Sequence, residues 1–187
     1  MSSELEDLAQ GIADQSASFL LALREIARQG NRGTAVPLLL LEVSQLLLAG
    51  ARLGVQIDFV PRDEFEPDAG PDPDLDIMRE RLAVLLEGVD DFTEVFDPYS
   101  DPPELVSSRL SDDLADIASS VAHGLQHYRA GSTEEALWWW QFSYVSSWGA
   151  EASASLRALQ SVIAHDRLDV VEVGETEAAR VAAADDL

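Results

Sequence analysis

Residues 132–148 read Ser132-Thr-Glu-Glu-Ala-Leu-Trp-Trp-Trp-Gln-Phe-Ser-Tyr-Val-Ser-Ser-Trp148, and they hold all four tryptophans of the chain. Large aromatic side chains bury more area than other types and dominate the energetics of a core. On a helical wheel the apolar residues of this segment cover a little over half of the circumference. We therefore predict a helix here that forms the centre of the core.

The same helical phase continues beyond this segment. It places Leu156, Leu159 and Ile163 in the middle of the same apolar face. We predict one long helix over residues 133–165. The small residues that follow Trp148 then mark a place where another helix approaches closely.

Apolar residues repeat at helical spacing in four further segments. We predict helices over residues 4–29, from Thr34, from Asp74, and from Leu110 to Tyr128. Residues 61–73 are rich in Pro, Asp and Glu and predict an irregular, mobile loop. Residues 92–103 carry aromatics among prolines and predict an ordered loop. The expected fold is all-α, a single-domain bundle of about five long helices over residues 1–167, with a flexible acidic tail at 168–187.

Composition limits the classes of partner. The chain has 187 residues, with 12 basic and 35 acidic side chains and a formal net charge of −23. That charge repels phosphate backbones and anionic lipids, so we expect neither nucleic acid nor a membrane as a direct partner. The apolar stretch at 36–50 is too short for a membrane span and is interrupted by Glu42 and Gln45. Cysteine is absent and the N-terminus is acidic, so we expect a cytoplasmic protein.

Three aspartates form the first candidate site. Asp112, Asp113 and Asp116 have a spacing with which one helix face can present carboxylates to magnesium. A second set of carboxylates facing them would be needed. Acidic residues in a first helical turn are also what the helix dipole favours, and we prefer that interpretation.

Two histidines form the second candidate site. His123 and His127 are one helical turn apart, so both imidazoles can face one transition-metal ion. The only other histidine is His165. Two ligands do not complete a metal site, and no His-Glu-x-x-His string is present. We therefore expect ordinary, partly exposed histidines, and we assign no metal, no cofactor and no catalytic residue.

Two residues of the aromatic helix stand out on the wheel. Gln141 lies within the apolar face, where a buried amide needs a hydrogen-bond partner. We expect it to bond a loop carbonyl and fix the helix register; the alternative is a polar group at the floor of a ligand pocket. Trp139 lies on the opposite, solvent side, where it is either an interaction anchor or covered by a loop such as 92–103.

The span Gly124 to Trp140 resembles the junction of a tetratricopeptide hairpin, with matches at Gly124, Gly131, Ala136 and Trp140. His127 stands where that pattern has an aromatic residue. One such unit, at about 118–145, is too few for a repeat protein and predicts a local antiparallel hairpin.

A wider resemblance covers roughly residues 92–165. Leu110-Ser-Asp-Asp-Leu-Ala-Asp-Ile117, Glu135-Ala-Leu-Trp138, Trp140-Gln-Phe-Ser143 and Trp148-Gly149 resemble an uncharacterised domain-of-unknown-function family, number 5063, that is frequent in actinobacteria. The family brings no catalytic residues to transfer. Its gene neighbourhood implies an accessory role in DNA recombination or repair through protein contacts.

The function expected from the sequence is a non-enzymatic helical module that contacts a partner protein, or a second copy of itself as a homo-oligomer. Two alternatives stay open. One is a metal-dependent enzyme that uses the aspartate cluster. The other is a helical domain that binds a small ligand above Gln141.

Overall fold

The computed structural model describes residues 3–61 and 66–185, with side chains described through Leu168. The elements in chain order are α1 Ser3–Gln29, α2 Arg32–Gly54, α3 Asp76–Leu85, β1 Asp91–Asp97, β2 Glu104–Arg109, α4 Leu110–Arg129, α5 Thr133–Ser143, a π-helical turn Tyr144–Trp148, and α6 Gly149–Asp185. The predicted all-α, single-domain bundle is confirmed, with one small hairpin added to it.

The helices share one core. α1 packs on α2 and α4, α2 packs on α6, and α4 packs on α5 and α3. A short connection joins α4 to α5, and Gly131 in it adopts a φ of 87° that only glycine takes without strain. Such a short connection makes α4 and α5 antiparallel neighbours. The resemblance of this hairpin to a tetratricopeptide unit stays a prediction.

The prediction of a loop at 92–103 is wrong in part, because the segment contains most of β1, the first strand of a two-stranded antiparallel hairpin. β1 pairs with β2 in a register that places Phe92 opposite Ser108 and Val95 opposite Leu105. Phe92 and Glu94 are half-buried, whereas their neighbours Thr93 and Val95 point to solvent. This alternation is the period-two signal of a strand. The prolines that suggested a loop lie in the connection between the strands.

The N-terminus of α4 is capped by a residue outside the helix. Asp90 is 4% exposed, and its carboxylate accepts hydrogen bonds from the backbone N–H and the hydroxyl of Ser111, each at 2.8 Å. Arg109 donates to the same carboxylate at 2.8 Å. A carboxylate at this position satisfies a free N–H group and the positive end of the helix dipole.

The aromatic segment is helical, as predicted, but the regular α-helical rotation is interrupted within it. Tyr144–Trp148 forms a π-helical turn between α5 and α6. Trp140 and Trp148 are eight positions apart, and two turns of α-helix take only about 7.2 residues. In a continuous α-helix the two indoles would therefore point in somewhat different directions. The π-turn has more residues per turn, so it brings the two indoles back to nearly the same side of the helix. Trp140 and Trp148 are both buried, at 0% and 2% exposed.

Glycines allow the indoles to approach neighbouring helices. A Cβ added at Gly124 in α4 would collide with the indole of Trp140. A Cβ at Gly50 in α2 would lie 2.5 Å from Trp148 and from Tyr144. The close helix approach predicted beside Trp148 is present at Ala152, which is fully buried.

Helix α2 is long and apolar enough to cross a membrane by length and composition alone. Its buried residues are part of the shared core, as expected for a helix of a soluble domain. Part of its apolar surface is uncovered, because Leu38, Leu41 and Leu48 are 46%, 50% and 67% exposed.

The backbone of α6 continues to Asp185, through most of the stretch that we predicted as a flexible tail from residue 168. The side chains of that stretch after Leu168, and residues 186 and 187 altogether, lie outside the described part of the chain.

Candidate metal centre

Helix α4 presents two imidazoles from the same face. His123 and His127 are four residues apart, so they lie one above the other on the helix. Their rings meet edge to face, with centroids 4.9 Å apart. The side chain of His127 is 1% exposed and that of His123 is 20% exposed. His127 is therefore not the partly exposed residue that we expected.

A loop segment brings a carboxylate to the two imidazoles. Residues 66–74, which we call the strap, run past α4 between the end of α2 and the start of α3. Oε1 of Glu66 lies 2.5 Å from Nε2 of His123 and 2.8 Å from Nε2 of His127. The two Nε2 atoms are 3.2 Å apart. Three potential ligand atoms thus converge on one point.

When Glu66 is ionised, hydrogen bonds leave one of these three contacts without a proper donor and acceptor. Each Nε2 atom carries either one proton or one lone pair. If both nitrogens donate to Glu66, their own 3.2 Å contact joins two donors. A cation between the three atoms removes this conflict, because all three can then offer lone pairs. The arrangement has the chemistry of a metal site.

The spacing of the nitrogens fits a transition-metal ion. Two nitrogens bound at about 2.0–2.1 Å to one tetrahedral ion lie about 3.3 Å apart. The observed 3.2 Å between the two Nε2 atoms matches that value. Glu66 lies closer to them than ligands of one ion would, but its side chain is 46% exposed and has room to withdraw.

A second carboxylate orients one of the histidines. Oδ1 of Asp72 lies 2.7 Å from Nδ1 of His123. A carboxylate that holds a proton on Nδ1 leaves the lone pair on Nε2, which is the form that binds metal. The indole of Trp139 packs on the other side of this ring, with centroids 4.3 Å apart.

His127 directs its polar interactions toward the same point. Its Nδ1 atom is buried and has no hydrogen-bond partner among the described residues. Its Nε2 atom contacts Glu66 and His123. A buried imidazole costs free energy unless its polar atoms are used. Of the two ring nitrogens of His127 only Nε2 has hydrogen-bond partners in the described part of the chain, and both of them belong to this centre.

Electrostatics favour the charged forms at this centre. Hydrogen bonds from His123 and then His127 lower the pKa of Glu66. Burial lowers the pKa of His123, but its hydrogen bonds to Asp72 and Glu66 outweigh burial, and the net pKa is raised. Protons therefore compete with a metal ion for these ligands.

The ligand set indicates the kind of metal. Two imidazoles and one carboxylate suit zinc and similar divalent transition metals, whereas magnesium prefers oxygen ligands only. In a zinc protease of the His-Glu-x-x-His class, a glutamate that acts as general base follows the first histidine. Gly124 stands there instead, and Trp140 occupies the space that a side chain would need. That protease chemistry is excluded.

The three aspartates predicted as a magnesium candidate do not come together in this way. Asp112 accepts from Arg79 at 3.2 Å and lies 3.5 Å from Arg109. Asp113 turns toward α6, and Asp116 is exposed. Within residues 3–61 and 66–168, only Glu66, His123 and His127 bring three such ligand atoms within 4.8 Å of one another.

Asp113 is the most perturbed carboxyl of that cluster. Burial raises its pKa to about 7, helped by Glu94 on β1 and Glu151 on α6, while Ser155 opposes the rise. Its pKa in an unfolded chain is near 3.8. The folded protein therefore binds a proton between about pH 4 and 7 that the unfolded chain does not, and stability from this group falls as pH rises through that window.

We expect Asp113→Asn to raise the melting temperature at pH 8 and to change it little at pH 5, because the amide removes a buried charge that exists only at the higher pH. Thermal unfolding at both pH values measures this difference. Asp58→Asn, at an exposed position, is the control and should leave both values unchanged. An equal effect of Asp113→Asn at the two pH values would contradict the assignment.

We predicted Trp139 on the solvent side of its helix, but it is half-buried against α4. Its indole N–H donates to the backbone carbonyl of Ser120 on α4 at 2.9 Å, and its ring contacts His123. α5 packs on α4, and Trp139 and Trp140 both bond α4 carbonyls, Trp140 that of Val121. The wheel was misleading because we assigned only the main apolar face of α5 to the core, whereas α5 also packs on α4 through the side that carries Trp139.

Gln141 is 6% exposed and holds the start of the loop that follows α2. Its Oε1 accepts from the N–H of Phe59 at 2.8 Å, and its Nε2 donates to the carbonyl of Leu53 at 3.0 Å. A groove of about 900 Å³ between β1 and α6 does not include Gln141.

Sequence reasoning missed Glu66 and Asp72. Both lie in an irregular stretch more than 50 residues before the histidines, as the separations of 57 and 51 residues show. No periodicity places such residues in space. The only signal available in the sequence was the four acidic residues of the Pro-rich stretch 66–74, together with the histidine pair that follows later in the chain.

Comparison with known proteins gives the family but no activity. The chain is similar in fold to the crystal structure of protein BF1032 from Bacteroides fragilis, with 22% identity, a TM-score of 0.66, and 81% of this chain and 89% of that chain covered. No curated protein matches the sequence. The family model described as "Domain of unknown function (DUF5063)" matches residues 3–165. The chain therefore belongs to the DUF5063 family.

Proposed function

We propose that this protein binds one divalent transition-metal ion of the zinc class through Glu66, His123 and His127. The observation that carries the proposal is the convergence of one carboxylate oxygen and two Nε2 atoms from two separate segments. Asp72 supports it, because a carboxylate beside Nδ1 of His123 holds a proton there and leaves Nε2 for the metal once the ring has lost its other proton.

Three protein ligands are the number found in zinc sites that keep one coordination position for water or a substrate. The residues present fit such a site, because Glu66 and Asp72 are open to solvent while His127 is buried. When bound, the ion would supply Lewis-acid chemistry at that position. The chain itself supplies a rigid pair of imidazoles on α4 and a movable carboxylate on the strap.

Isothermal titration calorimetry with zinc chloride tests the proposal. We expect one ion for each chain, and no binding of magnesium. His127→Ala should weaken zinc binding by at least about 100-fold, because it removes the buried nitrogen ligand. Zinc should also raise the melting temperature of the wild type. A ligand stabilises the folded state by about 2.7 kcal/mol when its free concentration is 100 times its Kd.

His165→Ala is the matched control. His165 is the remaining imidazole of the chain and is exposed on α6, so its loss should leave zinc binding unchanged. Asp113→Ala and Asp116→Ala should also retain zinc. Zinc binding that survives His127→Ala, or that is lost on Asp116→Ala, would contradict the proposal.

The protein-contact role, the homo-oligomer and the cytoplasmic location expected from the sequence stay predictions. Trp139 is half-buried against α4, and the exposed leucines Leu38, Leu41 and Leu48 of α2 are a second candidate contact surface. The helix that bears them has two arginines and one glutamate, in a chain whose net charge is −23. An unchanged oligomeric state and unchanged partners after Leu48→Glu would remove this surface from consideration.

A further inference from the structure

The strap is attached to α4 by polar contacts from three of its residues. Glu66 contacts both histidines, Asp72 contacts His123, and the side-chain amide of Gln126 donates to the carbonyl of Pro71 at 2.9 Å. Phe59 before the strap and Leu75 after it pack on the hydrophobic core. No side chain of residues 66–74 is among those that pack there in the described structure.

The strap also carries four negative charges and no positive one. Its acidic residues are Glu66, Asp68, Asp72 and Asp74, in a chain whose net charge is already −23. Like charges repel over about 8–10 Å at physiological salt. A strap of this composition has little reason to stay closed unless positive charge is present at the face of α4.

The composition of the strap gives it freedom to open. Gly70 has a φ of 96°, and a Cβ there would meet no atom within 4 Å. Six of its nine residues are exposed, and the other three, Pro67, Ala69 and Pro73, are half-buried. Stability is lowest where buried apolar contacts are few.

We infer that occupancy of the metal centre closes the strap onto α4, so that metal binding and the closed conformation of residues 66–74 are one event. This inference rests on the proposed function. A dication bound by Glu66, His123 and His127 cross-links the strap to the helix and offsets its negative charge. It also keeps Nε2 of His127 covered, since Glu66 contacts that atom of the buried ring. In the metal-free protein the strap leaves α4 and exposes both histidines.

Distance measurement between spin labels tests the inference. The chain has no cysteine, so labels can be placed at chosen sites without background. Ala69→Cys on the strap is paired with Arg24→Cys on α1. We expect a narrow distance distribution with zinc and a broad, longer one with EDTA. The control pair, Arg24→Cys and Arg129→Cys on two helices, should give the same narrow distribution in both.

Two further variants separate the possible outcomes. In His127→Ala, zinc should no longer narrow the Ala69 distribution. Gln126→Ala keeps all three ligands but removes the bond to Pro71, so it should still bind one zinc ion and close the strap, with weaker affinity. Zinc binding by calorimetry with no change in the Ala69 distribution would overturn the inference and leave the proposed function standing. Absence of zinc binding would overturn both.

Discussion

Gly124→Ala is expected to destabilise the protein by about 1–3 kcal/mol, although alanine is the better helix former. The added Cβ would occupy the position of the Trp140 indole, which is fully buried. Trp140 cannot move freely, because its N–H donates to the carbonyl of Val121 at 3.1 Å. Chemical denaturation measures the change in the free energy of unfolding.

Gly11→Ala makes the same chemical change in α1 and is the matched control. A Cβ at Gly11 meets only the end of the Arg52 side chain, at 3.6 Å, which is ordinary contact. It should therefore stabilise the protein by about 0.5–1 kcal/mol, the usual gain in a helix interior. If Gly124→Ala were also stabilising, the close packing of α4 on α5 described above would be wrong.

Gln141→Leu is expected to cost about 1–3 kcal/mol, because it leaves the part-buried N–H of Phe59 without its partner. The side chain also loses its bond to the carbonyl of Leu53. Leucine is similar in size, so the loss comes from hydrogen bonding and not from a cavity. For a chain of this length each kcal/mol lowers the melting temperature by about 2–4 °C.

Hydrogen exchange locates that effect. Amides of residues 53–59 should exchange faster in Gln141→Leu, while those of α4 should not change. Gln160→Leu is the control, because Gln160 is exposed and bonds only Arg157 on its own helix. It should alter stability by less than about 0.5 kcal/mol. Equal effects of the two substitutions would contradict the role assigned to Gln141.

The sequence predicted the helices because their apolar residues repeat every three or four positions, and Leu110 to Arg129 is the clearest case. It did not predict the hairpin, because β1 has only one half-buried face and prolines lie next to it. It also missed the π-turn, since a wheel assumes one constant rotation for each residue. The aspartates at the start of α4 were assigned to the helix dipole, and the sequence did not show that Asp90 on the preceding loop also bonds the N-terminus of this helix.

The metal centre shows the same limit. His123 and His127 could be paired from the sequence, because helical spacing fixes their relative position. The third ligand could not be found, because Glu66 belongs to a stretch without periodicity and reaches α4 through tertiary structure alone. The covered position of Trp139 has the same cause, since it depends on the side of α5 that meets α4.

The central claim is that one metal ion sits between Glu66, His123 and His127. Diffraction from zinc-grown crystals, recorded on both sides of the zinc absorption edge, tests it most directly. We predict an anomalous peak about 2.0–2.2 Å from Nε2 of both histidines and from a carboxylate oxygen of Glu66. A peak only beside the aspartates of α4, or none between the histidines, would contradict the claim.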